Sequence, residues 1–420
     1  MHDTKELYDI FEKCSGVCTD SRRVETGSMF FALHGASFDG NAFAAAALSD
    51  GASYAVVDSD EPIADHPEYA DRMIRVGDTL EALQSLAREH RRRLAIPVIG
   101  IVGSNGKTTT KELVSRVLAE RFEVGATRGN LNNHIGVPLT LLSMTRDTEF
   151  GVVEMGASAC GEIAALCGIS EPNYGIITNI GRSHLEGFGG VEGIRRGKGE
   201  LFDFLERNGG RAFVPQEDAV LVEMASERGD MAVEYYSRSI ADGIESRLSG
   251  EYNRANIAAA TAVGRYFDID GERIREAIAG YEPDNNRSQA VATERNRLIV
   301  DCYNANPSSM QAATANLASQ AGDDKILILG DMLELGQWSA DEHRKILENA
   351  LRIDGARFLL VGSEFAKAAE SLGEQAAAEI ISFATTEQAA EYLRTNPLSG
   401  ATILIKGSHK WALERLVKLL

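Results

Sequence analysis

The chain has 420 residues, 44% hydrophobic and 25% charged, the balance of a soluble globular protein too long for a single ordinary core. A formal net charge of -19 argues against nucleic acid or an anionic membrane as partner, while small anions need only a local cluster of cations and amides. Five cysteines without CxxC spacing, no apolar signal core at the start, and no run near the ~18 apolar residues that span a bilayer predict a cytoplasmic protein with free thiols, no zinc and no membrane insertion.

Residues 1–95 read as a small α/β domain. A short helix leads to Cys18-Thr-Asp-Ser-Arg-Arg23, an apolar strand Ser28 to Leu33, a loop through Phe38-Asp-Gly-Asn41, and an alanine-rich helix Ala42 to Leu48. A strand Ala52 to Val57 follows, then a helix Asp78 to Leu94 that ends in the basic run Arg88-Glu-His-Arg-Arg-Arg93. Such a run is ordinarily a solvated helix face. Pro97 marks the boundary to the next unit.

Residues 96–288 are organised around Val98-Ile-Gly-Ile-Val-Gly-Ser-Asn-Gly-Lys-Thr-Thr-Thr110. A β-rich apolar run stops at glycine and small polar residues and gives way to helical spacing, so strand, tight loop and helix start follow one another. The pattern is GxxGKT, shorter than the general GxxxxGK[ST], because Ile101 stands five before Gly106. Backbone amides at Gly103, Ser104, Asn105 and Gly106, with Lys107, Thr108 and Thr109 at the helix start, are the means of holding a phosphate. A strand to Met155 carries Glu154 at its C-terminal end, and a strand Tyr174 to Ile180 leads to His184. Ligands of open parallel sheets bind at such strand ends, so Lys107, Glu154 and His184 are expected on one rim. Glu154 suits a hard cation such as Mg²⁺, although a strand-end carboxylate can also be a cap or ion-pair partner, and a lone histidine is more often structural than a ligand. A helix Gly190 to Glu206 bears Lys198, the stretch Pro215 to Ser246 is expected to add edge strands, and a helix Gly250 to Tyr266 begins near Asn253 and Asn256.

Residues 289–420 alternate strand and helix from Arg297 to Ile405, which predicts a second doubly wound unit without a GxGxxG dinucleotide site. The fold class is therefore α/β in three domains: a small N-terminal α/β domain, a central P-loop-type, mostly parallel sheet with helices on both faces, and a C-terminal Rossmann-like domain.

Several ordered motifs resemble the central domain of the Mur ligase family: Gly103 to Thr109, Thr127-Arg-Gly-Asn-Leu-Asn-Asn-His-Ile-Gly-Val-Pro138, Glu154-Met-Gly-Ala157, Thr178 to Glu186 and Lys198-Gly-Glu200. Asp301-Cys-Tyr-Asn-Ala-Asn-Pro307, Leu329 to Gly336 with His343, and Lys406-Gly-Ser408 resemble the type that adds D-alanyl-D-alanine. The Asp-Asn-Pro-Arg signature of the diaminopimelate- or lysine-adding type is missing. Thr19 to Arg22 and Phe38 to Gly40 resemble the family's UDP-binding domain. Departures are Asn41, where many relatives carry histidine, and Ser158-Ala-Cys160, where an Asn-His-Pro-like stretch is usual.

The resemblance implies an ATP- and Mg²⁺-dependent ligase of peptidoglycan precursor synthesis. It would act as a monomer on UDP-N-acetylmuramoyl-tripeptide, held by the first domain, and D-alanyl-D-alanine, held by the third, through an acyl phosphate. It also implies roles: Thr108, Glu154, His184 and a carbamylated Lys198 for metal; Lys107, Lys198 and His184 for catalysis; Asn253 and Asn256 for adenine; Arg287 for phosphate and Asp301 for ribose. Substrate contacts would come from Ser21, Arg22, Asp39, Gly40, Asn133, Tyr303, Asn304, Asn306 and Asp331. On spacing alone Lys198 would be a surface lysine. The rival readings are a ligase of the same superfamily that adds a single amino acid or acts on folate or cyanophycin, and an ATP-binding relative without turnover.

Overall fold

The computed structural model describes residues 3–35, 38–248, 250, 252–283, 288–320, 322, 324–373 and 380–420. Three main sheets follow one another along the chain. The first has four parallel strands in the order Val17–Cys18, Met29–Phe31, Tyr54–Val57, Met73–Arg75. The second has six parallel strands in the order Ala232–Tyr236, Arg211–Pro215, Tyr174–Ile177, Val98–Val102, Phe150–Glu154, Val124–Ala126. The third runs Gln289–Ala292, Arg297–Asp301, Thr402–Lys406, Lys325–Gly330, Ala356–Val361, Ile380–Phe383, with only its first pair antiparallel.

The central strand explains why its sequence is a continuous apolar run. Val98 and Val102 pack into the layer of helices Thr79–Leu94, Glu162–Ser170 and Val191–Arg207, while Ile99 and Ile101 pack into that of helices Lys107–Ala119 and Tyr252–Tyr266. Both faces are covered, so alternation is lost. Each fully buried Val or Ile contributes roughly 1.5–3 kcal/mol. Chain order reverses at this strand, since Phe150–Glu154 lies on one side and Tyr174–Ile177 on the other, and that leaves a crevice beyond its C-terminal end.

The expected elements form with ends shifted by a few residues, and some were not expected: strands Val17–Cys18, Met73–Arg75 and Gln289–Ala292, and helix Ala219–Ser226 inside the stretch read as edge strands. The basic run of helix Thr79–Leu94 is also not wholly solvated. Arg91 is 7% exposed and donates to the Ser170 and Glu171 carbonyls at the end of helix Glu162–Ser170, and to Asn173 Oδ1 at 2.8 Å. A guanidinium against the last carbonyls of a helix satisfies acceptors that the helix cannot. It ties the first domain to the second.

His90 lies in the same seam. Its Nδ1 accepts from the Tyr8 hydroxyl at 3.1 Å and its Nε2 donates to the Met144 carbonyl at 2.9 Å, so the ring fits as the neutral form. Burial holds its pKa below the ordinary value, ahead of the opposing effects of the Met144 hydrogen bond and Glu12. An unfolded chain therefore takes up a proton here that the folded chain refuses, and stability falls as pH drops below about 6.5 towards the folded pKa. Urea midpoints measured at pH 7.5 and 5.5 are expected to fall further on acidification for the wild type than for His90→Gln; equal falls would contradict this.

Candidate functional site

The phosphate loop is built by two glycines that no other residue could replace without movement. Gly103 has φ +146°, and a Cβ there would lie 1.9 Å from Thr178 Oγ1; Gly106 has φ +79°, and a Cβ would lie 2.5 Å from Asn256 Oδ1. The neighbouring strand end pins the loop. Ser104 N–H donates to the Asn179 carbonyl at 3.1 Å, Asn105 N–H donates to Asn179 Oδ1 at 3.2 Å, and Thr178 Oγ1 donates to the Asn105 carbonyl at 2.6 Å. Helix Lys107–Ala119 starts immediately behind Gly106 and turns its N-terminal dipole to the crevice.

Two cations meet at this loop. Lys107 Nζ donates to the Gly103 carbonyl at 2.8 Å, and Lys198 Nζ, from helix Val191–Arg207, donates to the same oxygen at 3.2 Å. Lys198 is 2% exposed, not the surface lysine its spacing suggested. Desolvation, and then the Lys107 charge, push its pKa down to about 7. Much of it is thus the neutral amine at neutral pH, the form that can add CO₂.

Two oxygens nearby are buried without a hydrogen-bond partner among the described residues: Thr108 Oγ1 and Glu154 Oε2. Glu154 is 1% exposed, and its other oxygen accepts from Asn132 Nδ2 at 2.8 Å. The parallel register sets Glu154 beside Ile101, so its carboxylate stands one strand from the loop. An orphaned hydroxyl and carboxylate oxygen are what a hard cation would satisfy. Among the described residues no group of three His, Cys, Asp or Glu side chains is gathered for a metal, so a Mg²⁺ here would draw ligands from phosphate and water as well. His184 has φ +51°, and its buried Nδ1 faces the Glu334 carboxylate of the third domain in a close ion contact that is not an aligned hydrogen bond. That contact holds the Glu334 pKa below its usual value, against the opposing desolvation.

The crevice opens into a cavity of about 780 Å³ walled by the second and third domains. Ser104, Asn105, Gly106, Lys107, Thr109, Asn133, Glu154, His184, Asn253, Asn256, Asp301, Tyr303, Asn304 and Asn306 all line it. Asn256 Nδ2 donates to Asn253 Oδ1 at 2.9 Å, and Asn306 Nδ2 donates across the domains to Asn105 Oδ1 at 2.8 Å. Asn133 caps helix Gly136–Leu142 through its Oδ1, which accepts from Gly136 N–H at 2.8 Å. Arg287 lies outside the described residues. Ser21, Arg22, Asp39 and Gly40 belong to the first domain and do not line this cavity: Arg22 pairs with Asp20, and Asp39 Oδ1 accepts from Asn41 N–H at 2.8 Å. Asn41 is committed to the fold, bonding Asp58 through both its amide atoms.

Asp331 is placed differently from expectation. It is 3% exposed, and its two oxygens accept from Glu364 and Phe365 N–H, both at 2.9 Å, so it caps helix Ser363–Leu372 and is turned away from the cavity. The acid that its loop does offer is Glu334, with Met332 and Leu335 buried against Leu185, Phe188 and Ile194 of the central domain. Spacing also left Asn132, Tyr252, Ser288 and Lys406 unassigned, and all four line the cavity. Asn132 and Lys406 sit in motifs already visible in the sequence; Tyr252 and Ser288 carry no local signal there.

Family models match three successive segments: "Mur ligase family, catalytic domain" over residues 13–91, "Mur ligase middle domain" over 101–244, and "Mur ligase, glutamate ligase domain" over 286–409. A Bacillus subtilis protein named UDP-N-acetylmuramoyl-tripeptide--D-alanyl-D-alanine ligase is 35% identical over 96% of this chain and 92% of its own length. The chain belongs to the Mur ligase family. Among solved structures, this Mur ligase is similar to MurF from Acinetobacter baumannii, with a TM-score of 0.84 at 31% identity over 96% of this chain and 92% of that one. It is also similar to the MurF ligase of Thermotoga maritima in complex with ADP, with a TM-score of 0.80 at 26% identity over 100% and 98%.

The orientation of Glu154 rests on Asn132. Asn132→Ala is expected to weaken Mn²⁺ binding to the nucleotide-loaded protein by about 10- to 100-fold, the usual effect of losing an outer-shell partner. Electron paramagnetic resonance titration reads this directly, and unchanged affinity would remove Glu154 from the metal site.

Proposed function

We propose that this Mur ligase joins D-alanyl-D-alanine to UDP-N-acetylmuramoyl-tripeptide, converting ATP to ADP and phosphate. The observation that carries the reading is that Lys107 and Lys198 both donate to the Gly103 carbonyl of the phosphate loop, beside the orphaned oxygens of Thr108 and Glu154, and that Lys107 and Glu154 line the two-domain cavity. The names of its full-length relatives supply the substrates.

The reaction needs two charge-building steps. The tripeptide's terminal carboxylate attacks the γ-phosphate of ATP, giving an acyl phosphate and ADP; the dipeptide amine then attacks the acyl carbon, and phosphate leaves. Loop amides and Lys107 would stabilise negative charge as it spreads over the transferring phosphoryl oxygens. A bound Mg²⁺, held by Thr108 and Glu154, would supply further electrostatic stabilisation, with His184 and carbamylated Lys198 as the additional groups that the family resemblance assigns. Asn253 and Asn256 would present amide donors and acceptors to adenine, Arg287 would contact phosphate, and Asp301 would accept from ribose. Docking of the third domain would bring Tyr303, Asn304 and Asn306 to the acceptor dipeptide and exclude water from the acyl phosphate.

In this reading residues 1–95 hold the UDP-sugar peptide through Ser21, Arg22, Asp39 and Gly40, residues 96–288 hold ATP, and residues 289–420 hold the incoming dipeptide. The protein works as a cytoplasmic monomer. Its five thiols are unpaired, and no helix among the described residues is long and apolar enough to cross a membrane.

Product mass is the direct test. With ATP, Mg²⁺, UDP-tripeptide and D-alanyl-D-alanine, one dipeptide is expected to be added per ADP formed; addition of single amino acids in its place would favour the superfamily rival, and no ADP at all would end the reading. Lys107→Ala is expected to lower kcat by about 100- to 1,000-fold, the usual effect of losing a transition-state donor. Lys198→Ala is expected to lose activity and regain part of it with formate or acetate; a variant as active as the parent would rule out the carbamate.

A further inference from the structure

The cavity wall holds a buried charge that the roles above leave without a task. Lys406 closes the strand Thr402–Lys406 and is 1% exposed. Its ammonium donates to Asp301 Oδ2 at 2.7 Å, to the Asn304 carbonyl at 3.1 Å and to the Asp301 carbonyl at 3.4 Å. Three acceptors match the three N–H bonds of an ammonium, so the group is fully engaged. The parallel register sets Lys406 directly beside Asp301 at the strand ends.

Stability is a poor reason to keep such a pair. Desolvating two charges offsets much of their attraction, and an apolar pair of similar volume is often as stable. What the pair does provide is a fixed acceptor. With Oδ2 held by the ammonium, the carboxylate cannot turn freely, and among the described residues Oδ1 makes a long contact of 3.3 Å with the Ser288 N–H. Ser288 Oγ in turn bonds the Tyr252 hydroxyl at the start of helix Tyr252–Tyr266, one residue before Asn253. The chain Lys406, Asp301, Ser288, Tyr252 therefore runs along one wall of the cavity from the third sheet to the central domain, and all four residues line it.

We propose that Lys406 is a positioning residue: it orients the Asp301 carboxylate as an acceptor for sugar hydroxyls and so makes the site select ribonucleotides over nucleotides lacking the 2′- and 3′-hydroxyls. The inference rests on the ATP reading and deepens it. An acceptor-only carboxylate can take hydrogen bonds from a sugar diol, and a sugar without hydroxyls would cover that part-buried acceptor without pairing it. Binding therefore pays twice for the missing groups, once in the lost bonds and once in the desolvated oxygen.

Calorimetric titration of the full chain with Mg²⁺ and either ATP or 2′,3′-dideoxyATP tests this without relying on turnover. The wild type is expected to bind the dideoxy nucleotide about 10- to 100-fold more weakly than ATP, the range for hydrogen bonds to a charged acceptor. In Lys406→Met the ATP dissociation constant is expected to rise about tenfold and the preference for ATP to shrink below about threefold. Lys406→Arg, which keeps a cationic donor, is expected to retain most of the preference. A merely structural lysine would not change the ratio between the two nucleotides. A folded Lys406→Met protein that keeps the wild-type preference overturns the proposal. Equal binding of both nucleotides by an active wild type overturns it too, whether or not the variants fold, and leaves the ligase reading standing. A wild type that binds neither nucleotide overturns both.

Discussion

The rest of the site depends on two lysine amines placed against one carbonyl oxygen. Lys107 and Lys198 both donate to Gly103, one from the helix that follows the loop and one from a helix almost a hundred residues later. The lowered pKa of Lys198 records first its burial and then the repulsion of the Lys107 charge. An anion between them, or conversion of one amine to a carbamate, relieves the conflict. The acidic chain thus keeps a small positive focus where its strand ends meet, and its net charge of -19 says nothing about that point.

That focus belongs to the central sheet, but the cavity around it does not. Arg182 of the central domain pairs with Glu342 of the third at 2.7 Å, and Arg182 N–H donates to Ser308 Oγ at 2.8 Å. Asn306 reaches the phosphate loop at Asn105, and Glu334 reaches His184. The apolar cluster around Leu335 crosses the same seam. Groups from two domains therefore share one wall, so a nucleotide contacting both would stabilise their docking, and the docked form would bind it more tightly.

The sequence showed these parts unevenly, for physical reasons. The phosphate loop was legible because glycine, lysine and threonine must stand at fixed offsets between a strand and a helix. Glu154 was legible as a strand-end residue, and His184 as a residue in the loop that follows the next strand. Short strands such as Val17–Cys18 and Met73–Arg75 were not, since two or three residues carry no period. Arg91 looked solvated because nothing local reveals the helix end it meets in another domain. Asp331 and Glu334 were the instructive pair: both are acids in one loop, and only tertiary packing decides that the first caps a helix while the second faces the cavity. The partners of Lys406 were likewise hidden, because register between strands more than a hundred residues apart sets them.

The central claim is that a carboxylate oxygen of the first substrate is transferred to phosphate at this loop. Tripeptide labelled with ¹⁸O in its terminal carboxylate tests it in a single turnover of the wild type. The account predicts that the released inorganic phosphate carries one ¹⁸O atom for each dipeptide joined. Phosphate free of label, with amide product still formed, would contradict it.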